Sequence, residues 1–260
     1  MQLSADFFQE QGYATITDCD ALKSETDQIK DDIDSLALSY GFSAPFGDSG
    51  KSFDVPPGTD RTNFYRSLRY LPSLGRLANS ELLCGFSKQL GLEQPIVMNA
   101  SNIRMDVGGH NPNKFHWHQD YTYLLGSRNS VTYWIPLQDV SQELGGIELV
   151  PGSHQFGLSD FSTTNDTVEE KTSHVSPSDI VLKDEPVSGA EAAQLNYGDG
   201  LVFSQFLLHR SLEHRHSRVR WTIQVRHSDA MEPFYREHGC PMGDTTTILR
   251  QAELSQALRK

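Results

Sequence analysis

Three residues in one short run could do chemistry together. In FHWHQDYTYLLG, residues 115 to 126, His116, His118 and Asp120 stand two apart among aromatic side chains. If the run is a strand, alternate residues share a face, and His118 and Asp120 point at the same place. A lone His-x-Asp pair also occurs as solvated or hydrogen-bonded structure, so a third group is required from elsewhere in the chain. His209 is the candidate: DGLVFSQFLLH reads as a strand with a histidine at its end. Two histidines and one carboxylate on one face of a sheet are the donor set of a non-haem Fe(II) site with open coordination positions. Eleven residues after His209, Arg220 sits in a further strand, RVRWTIQVRHS. A planar, permanently charged guanidinium there suits the far carboxylate of 2-oxoglutarate, whose other end would occupy the open positions.

These residues need a scaffold, and the chain changes texture to provide one. From about residue 97 come PIVMNASNIRMDV, SVTYWIPLQDV, GIELVPGSH, DGLVFSQFLLH and RVRWTIQVRHS. They are short β-branched and aromatic runs punctuated by Gly and Pro, the pattern of an antiparallel sandwich or barrel. The first third reads as helical. DALKSETDQIKDDIDSLALSYG places Leu22, Ile29, Ile33 and Leu36 at helical spacing, with Asp20 as cap and Gly41 as stop. YLPSLGRLANSELLCGFSKQLGL predicts one or two more helices. Residues 41–60 and 159–179 are polar and rich in turn formers. They read as long loops, expected to flank the pocket mouth and to order when substrate binds. With no internal repeat and no linker, the chain is expected to form one domain over 1–260. Its parts are a helical region over about 1–95, a β core over about 96–230 and a C-terminal extension over 231–260.

Composition narrows the partners. The net charge of −12 repels phosphates and anionic headgroups, so neither nucleic acid nor a membrane surface is expected to bind. Cys19, Cys84 and Cys240 lack paired spacing, as suits a reducing compartment. The N-terminus has no basic region followed by an apolar one, and no apolar run approaches the roughly 20 residues of a membrane span. The expectation is a cytoplasmic protein, and the Asn165-Asp166-Thr167 sequon is discounted accordingly.

The chain resembles the phytanoyl-CoA dioxygenase family of Fe(II)/2-oxoglutarate-dependent oxygenases. WHQD at 117–120, WIPLQDVSQELGGIELVPGSH at 134–154 and YGDGLVFSQFLLHRS at 197–211 carry the resemblance, with Arg220 at the family's interval and FFQEQGYATI near the start. It implies a double-stranded β-helix, a jelly-roll, cupin-like sandwich that is mainly β with N-terminal helices. Fe(II) would be held by His118, Asp120 and His209, with 2-oxoglutarate and O2 as cosubstrates. Arg220, helped by Ser211, would take the distal carboxylate of 2-oxoglutarate. Trp134 would pack against that cosubstrate and Asn102 would lie near it. His154 of PGSH is expected at a structural turn. The family pattern is departed from at Leu144, and at His214 and His216, which are expected in an exposed loop. Asp120 itself favours hydroxylation, or a related desaturation or demethylation, over halogenation, because related halogenases carry a small residue there.

Strand alternation extends the inward set. Arg220 shares its face with Thr222, Gln224 and Arg226; His209 with Leu207, Gln205 and Phe203; Trp134 with Thr132 and Ser130. Val219, Trp221, Ile223, Val225, Val202, Leu208 and Val131 would face outward. The candidate substrate contacts are therefore Phe203, Gln205, Thr222, Gln224 and Arg226, with His116 beside them. So polar a lining predicts a compact polar metabolite or natural product, hydroxylated with release of succinate and CO2, and Arg226 as a possible anchor for an anionic group. The alternatives are the same chemistry on a protein or acyl-CoA substrate, and a non-catalytic cupin-like binding protein. Oligomeric state is not legible.

Overall fold

The computed structural model describes residues 2–47, 53, 60–99, 101–108, 115–163, 180–182 and 188–237. Most of 41–60 and 159–179, and residues 238–260 of the C-terminal extension, lie outside the described residues.

Helices come first. α1 (Ala5–Gln11) is capped by Ser4, whose hydroxyl accepts from the Phe7 amide, and stops at Gly12 with φ +81°. A Cβ at Gly12 would lie 2.4 Å from His154 Nδ1, so both the backbone and the space call for glycine. After β1 (Tyr13–Ile16), α2 (Asp20–Ser39) buries Leu22, Thr26, Ile29, Ile33 and Ala37, one face at helical spacing. Cys19 holds its cap position and makes no side-chain cap bond, so Asp20 stands one place inside the helix, where its charge meets the N-terminal dipole. α3 (Thr62–Leu68), α4 (Pro72–Ala78) and α5 (Glu81–Gln89) follow; Pro72 opens α4 and Ser80 caps α5.

The β core comprises β2 (Pro95–Val97), β3 (Asn102–Asp106), β4 (Val131–Pro136), β5 (Ile147–Leu149), β6 (Phe161–Thr163), β7 (Ile180–Leu182), β8 (Glu191–Ala192), β9 (Gly200–Ser204), β10 (His209–Ser211) and β11 (Arg220–Asp229). The short helices α6 (Tyr121–Leu124) and α7 (Pro233–Glu237) and a 3-10 turn at Ser153–Phe156 interrupt and end it. The larger sheet runs β1-β9-β4-β11-β2, with β3 also on β11. β11 is its spine: one edge takes β4, the other takes β3 and then β2, all antiparallel. PIVMNASNIRMDV therefore splits into two strands on the same edge. A smaller sheet runs β10-β5-β8, and β6 pairs with β7.

Two apolar layers hold this jelly roll together. The outer face of the larger sheet packs Tyr133, Ile135, Trp221, Ile223 and Val225 against Leu22, Ile29, Ile33, Leu77 and Leu83 of the helices. Between the sheets, Trp134, Leu201 and Phe203 meet Ile147 and Leu149. Each such side chain, fully buried, contributes roughly 1.5–3 kcal/mol. The outward face also buries His227, whose Nε2 meets the Ala78 carbonyl at 2.8 Å and whose Nδ1 meets Ser87 Oγ at 2.8 Å. Among the described residues no helix is long and apolar enough to cross a membrane, and Cys19 and Cys84 are free thiols.

One expected strand is two. Residues 201–209 do not run straight: β9 ends at Ser204, the chain turns, and His209 opens β10 in the other sheet. The Ser204 hydroxyl accepts from the Phe206 amide and the Ser153 hydroxyl from the Leu208 amide, which fixes the crossing. An apolar run of this length does not distinguish one strand from two halves joined by a turn.

Candidate active site

Between the two sheets lies a small cavity, and His118, Asp120 and His209 line it with Arg220, Ser211, Trp134 and Gln224. His118 and His209 are brought together by their backbones. Each amide donates to the other's carbonyl, at 3.0 and 3.1 Å, and the two rings stand 4.2 Å apart. Asp120 is not on a strand; it sits in helical conformation where the chain enters α6. The alternate spacing works for another reason: one residue is bridged to β10 and the next-but-one begins a helix. Gln119, between them, is fully buried and ties this turn down. Its amide nitrogen donates to the Gly157 and Phe206 carbonyls, and its oxygen accepts from the Ser159 amide.

The donor atoms are sorted by their hydrogen bonds. His118 Nδ1 meets the His116 carbonyl at 2.7 Å and His209 Nδ1 meets the Leu207 carbonyl at 2.9 Å, so both rings keep Nδ1–H and present a bare Nε2. Those Nε2 atoms stand 3.5 and 3.6 Å from Asp120 Oδ1. One ligand atom from each of the three residues lies within 4.8 Å of the others, and all three residues are buried. This set fits a metal ion. Burial, together with the neighbouring His118, pushes His209 down to about 3, so it is a neutral ligand at neutral pH. Burial alone would raise the Asp120 carboxyl. Arg226, whose Nε lies 3.5 Å from Oδ2, outweighs it and holds the group well below the usual carboxylate range. The histidines lower it further only when charged, so we assign the effect to Arg226. Thr132 Oγ1 donates to Oδ2 at 2.6 Å, and the Tyr123 hydroxyl donates to Oδ1. The Tyr123 phenol, pushed well above its ordinary range by burial and by Asp120, stays protonated to do so.

On the inner face of β3 and β11 the register sets Asp106 beside Arg220, Arg104 beside Thr222 and Asn102 beside Gln224. Asp106 accepts from Arg220 Nη2 at 2.9 Å and from Arg104 through Nε at 3.3 Å and Nη2 at 2.8 Å. Burial opposes the Asp106 charge, but the two guanidiniums keep its carboxyl low. Arg220 Nη1 donates to the Gly145 carbonyl at 2.9 Å, while buried Arg220 Nε, Thr222 Oγ1 and Asn102 Oδ1 have no hydrogen-bond partner among the described residues. Of these, Arg220 lines the cavity, and an orphaned buried donor there calls for a ligand.

Other expected residues fall elsewhere. Phe203 packs on the His209 ring at 4.5 Å and Gln205 donates to Met98 Sδ, both away from the cavity wall. Thr222 shares the inner face of β11 but is fully buried behind that wall. Arg226 is engaged by Asp120 and by Gln224 Oε1, at 2.9 Å, and is not open to a substrate. His116 is exposed and lines an outer groove with Trp117 and Arg215. His154 is in the expected turn, on the Gln9 carbonyl. His214 is corrected: it is buried, its ring beside Gly108, because the segment folds back over β3. Sequence reasoning missed Arg104, Tyr123 and Phe115 on the wall. Arg104 and Asp106 had a signal, two opposite charges at alternate positions of one short strand.

A jelly roll that closes around two bare imidazole nitrogens and one carboxylate defines the non-haem iron oxygenase class. The chain belongs to the phytanoyl-CoA dioxygenase (PhyH) family, whose model matches residues 8–221. It is an Fe(II)- and 2-oxoglutarate-dependent dioxygenase. The fold is shared with the carbocyclase SnoK from nogalamycin biosynthesis, at TM-score 0.60 and 19% identity over 92% of this chain and 90% of that one. EctD from S. alaskensis, with bound Fe, gives 0.58 and 16% over 88% and 76%. AviO1 from Streptomyces viridochromogenes gives 0.54 and 19% over 88% and 95%. No curated protein sequence matches significantly.

Proposed function

We propose that His118, Asp120 and His209 hold the Fe(II), that Arg220 with Ser211 takes the distal carboxylate of 2-oxoglutarate, and that the enzyme hydroxylates a compact polar metabolite. The observation that carries this is the pair of bare Nε2 atoms set around Asp120 Oδ1 with their Nδ1 atoms tied to carbonyls. Bound iron supplies O2 activation coupled to 2-oxoglutarate decarboxylation, the cofactor's own chemistry. The chain's part is positioning. The two hydroxyl donors on Asp120, with the Arg226 charge beside them, fix its orientation, and the Arg220 guanidinium, held by Asp106 and Gly145, keeps Nε for a carboxylate oxygen. Trp134, 5% exposed, closes the wall against water. The presence of Asp120 supports hydroxylation over halogenation. The free thiols support residence in a reducing compartment such as the cytoplasm.

A succinate-release screen against a metabolite panel, under Fe(II), ascorbate and O2, tests this. Small polar compounds should stimulate turnover, and His118→Ala or Asp120→Ala should abolish it in folded protein. Full turnover in either variant would remove the ligand assignment, and stimulation by fatty acyl compounds alone would remove the substrate class.

A further inference from the structure

We propose that Gln119 is a positioning residue of the iron site and that it ties metal occupancy to the segment leading into β6. The inference rests on the assignment of His118, Asp120 and His209 to the iron.

Place comes first. The candidate ligands come from two segments, 118–120 and the crossing 204–209, and hydrogen bonds zip these segments together. At one end the His118 and His209 amides donate to each other's carbonyls, and at the other the Tyr121 amide donates to the Gln205 carbonyl at 3.0 Å. Between these ends the Gln119 side chain stands in for a backbone partner, its Nε2 donating to the Phe206 carbonyl at 2.6 Å. The same nitrogen donates to the Gly157 carbonyl at 2.8 Å, and Oε1 accepts from the Ser159 amide at 2.8 Å. Two carbonyls against the nitrogen and an amide against the oxygen settle which end of the side chain is which.

Constraint comes second. Gln119 is fully buried, so breaking any of these bonds strands a buried polar group. The Phe206 ring stacks on Tyr121 at 4.3 Å, which keeps the crossing from sliding along the ligand turn. A movement of the crossing that carried His209 away from His118 and Asp120 would stretch the bond from Gln119 to Phe206. Gln119 could follow only by releasing Gly157 or Ser159. A metal that fixes the three ligands therefore restrains the Ser159 amide, and by reciprocity the bonds at 157–159 hold the ligands in place before metal arrives. Gln119 does not line the cavity, so it acts through its neighbours.

The test uses the full chain and Zn(II), a diamagnetic ion that accepts the same imidazole and carboxylate donors, with amide exchange followed by NMR. At free metal about a hundred times Kd, amides that open only with the site should exchange about a hundredfold more slowly. The His118, His209 and Ser159 amides should slow together in the parent protein. The Leu3 amide, held by Gln89 Oε1 at 2.8 Å in the helical layer, is the control and should slow far less. Gln119→Met keeps the length and removes the amide; Zn(II) affinity of the folded variant should fall on the order of tenfold. A role in packing alone would lower the Tm of the variant and leave that affinity unchanged, and this result overturns the inference. So does a Ser159 amide indifferent to metal in the parent, or a Leu3 amide that slows as much as Ser159, which would make the protection global. The parent measurements decide the matter if the methionine variant is unfolded. No Zn(II) binding by the parent, or binding undiminished in His118→Ala, would overturn the ligand assignment and this inference with it.

Discussion

Thr132→Val isolates one support of the candidate metal carboxylate. The Thr132 hydroxyl donates to Asp120 Oδ2 at 2.6 Å, and both residues are buried, at 0% and 1% exposure. Valine keeps the branched shape, so no cavity opens and the hydrogen bond is nearly the whole difference. A hydrogen bond to a buried charge is worth roughly 1.5–3 kcal/mol. For a chain of this size that corresponds to a fall in Tm of about 3–12 °C in the metal-free protein. Outer partners of metal ligands typically contribute about tenfold to a hundredfold in affinity, so Fe(II) binding should weaken within that range. The pH dependence has a definite sign. The folded-state pKa of Asp120 is depressed, so its stabilisation is fully present above the unfolded value of 3.8 and is lost as the pH falls toward the folded one. The Tm deficit should therefore be complete at neutral pH and shrink only in strong acid. Scanning calorimetry of the metal-free protein and anaerobic competition with a chelator measure the two effects. A variant with the parental Tm and the parental Fe(II) affinity would refute a supporting role for Thr132.

Three more outcomes are expected. Arg220→Lys should raise the KM for 2-oxoglutarate by about tenfold or more, since a point charge replaces a fork; steady-state succinate release reads it, and an unchanged KM would exclude the contact. The metal-free protein should lose stability as pH falls below 6.5, because burial lowers His209 and His227, so the unfolded chain binds protons that the folded one excludes. Urea midpoints from pH 8 to 5 should show this, with a shallower slope in His227→Gln; parallel slopes would place the effect elsewhere. Gly12→Ala should cost about 1–2 kcal/mol for its φ of +81° alone, and more for the contact with His154, as a reduced urea midpoint. A parental midpoint would contradict the packing described there.

The candidate ligands were legible because their chemistry is rare and their spacing local; the path that joins them was not. His209 stood out as a histidine closing an apolar run, yet that run changes sheets at Ser204, a crossing fixed by hydroxyls of Ser153 and Ser204 that no periodicity reports. Asp120 was found through a strand rule and sits at a helix start. The inward face of β11 was readable because ten residues hold one register, with Trp221, Ile223 and Val225 outside and Arg220 and Gln224 inside. What each inward polar group does depends on partners from distant strands. Arg226 was assigned to substrate because Asp120 could not be seen beside it. Arg104 was passed over because its neighbour Arg220 comes more than a hundred residues later.

The backbone bridge between His118 and His209 has a consequence for the order in which the protein is made. It closes a loop of about ninety residues that contains β4 to β9, and such a non-local contact forms only after its loop-closure entropy has been offset by other structure. During synthesis residues 115–120 leave the ribosome well before residue 209 exists. Iron cannot then template the early chain, since its donors meet only when both sheets have formed. Loading should be a late event on a nearly finished fold, and pulse-labelled refolding should show amide protection of β4 and β11 preceding metal uptake.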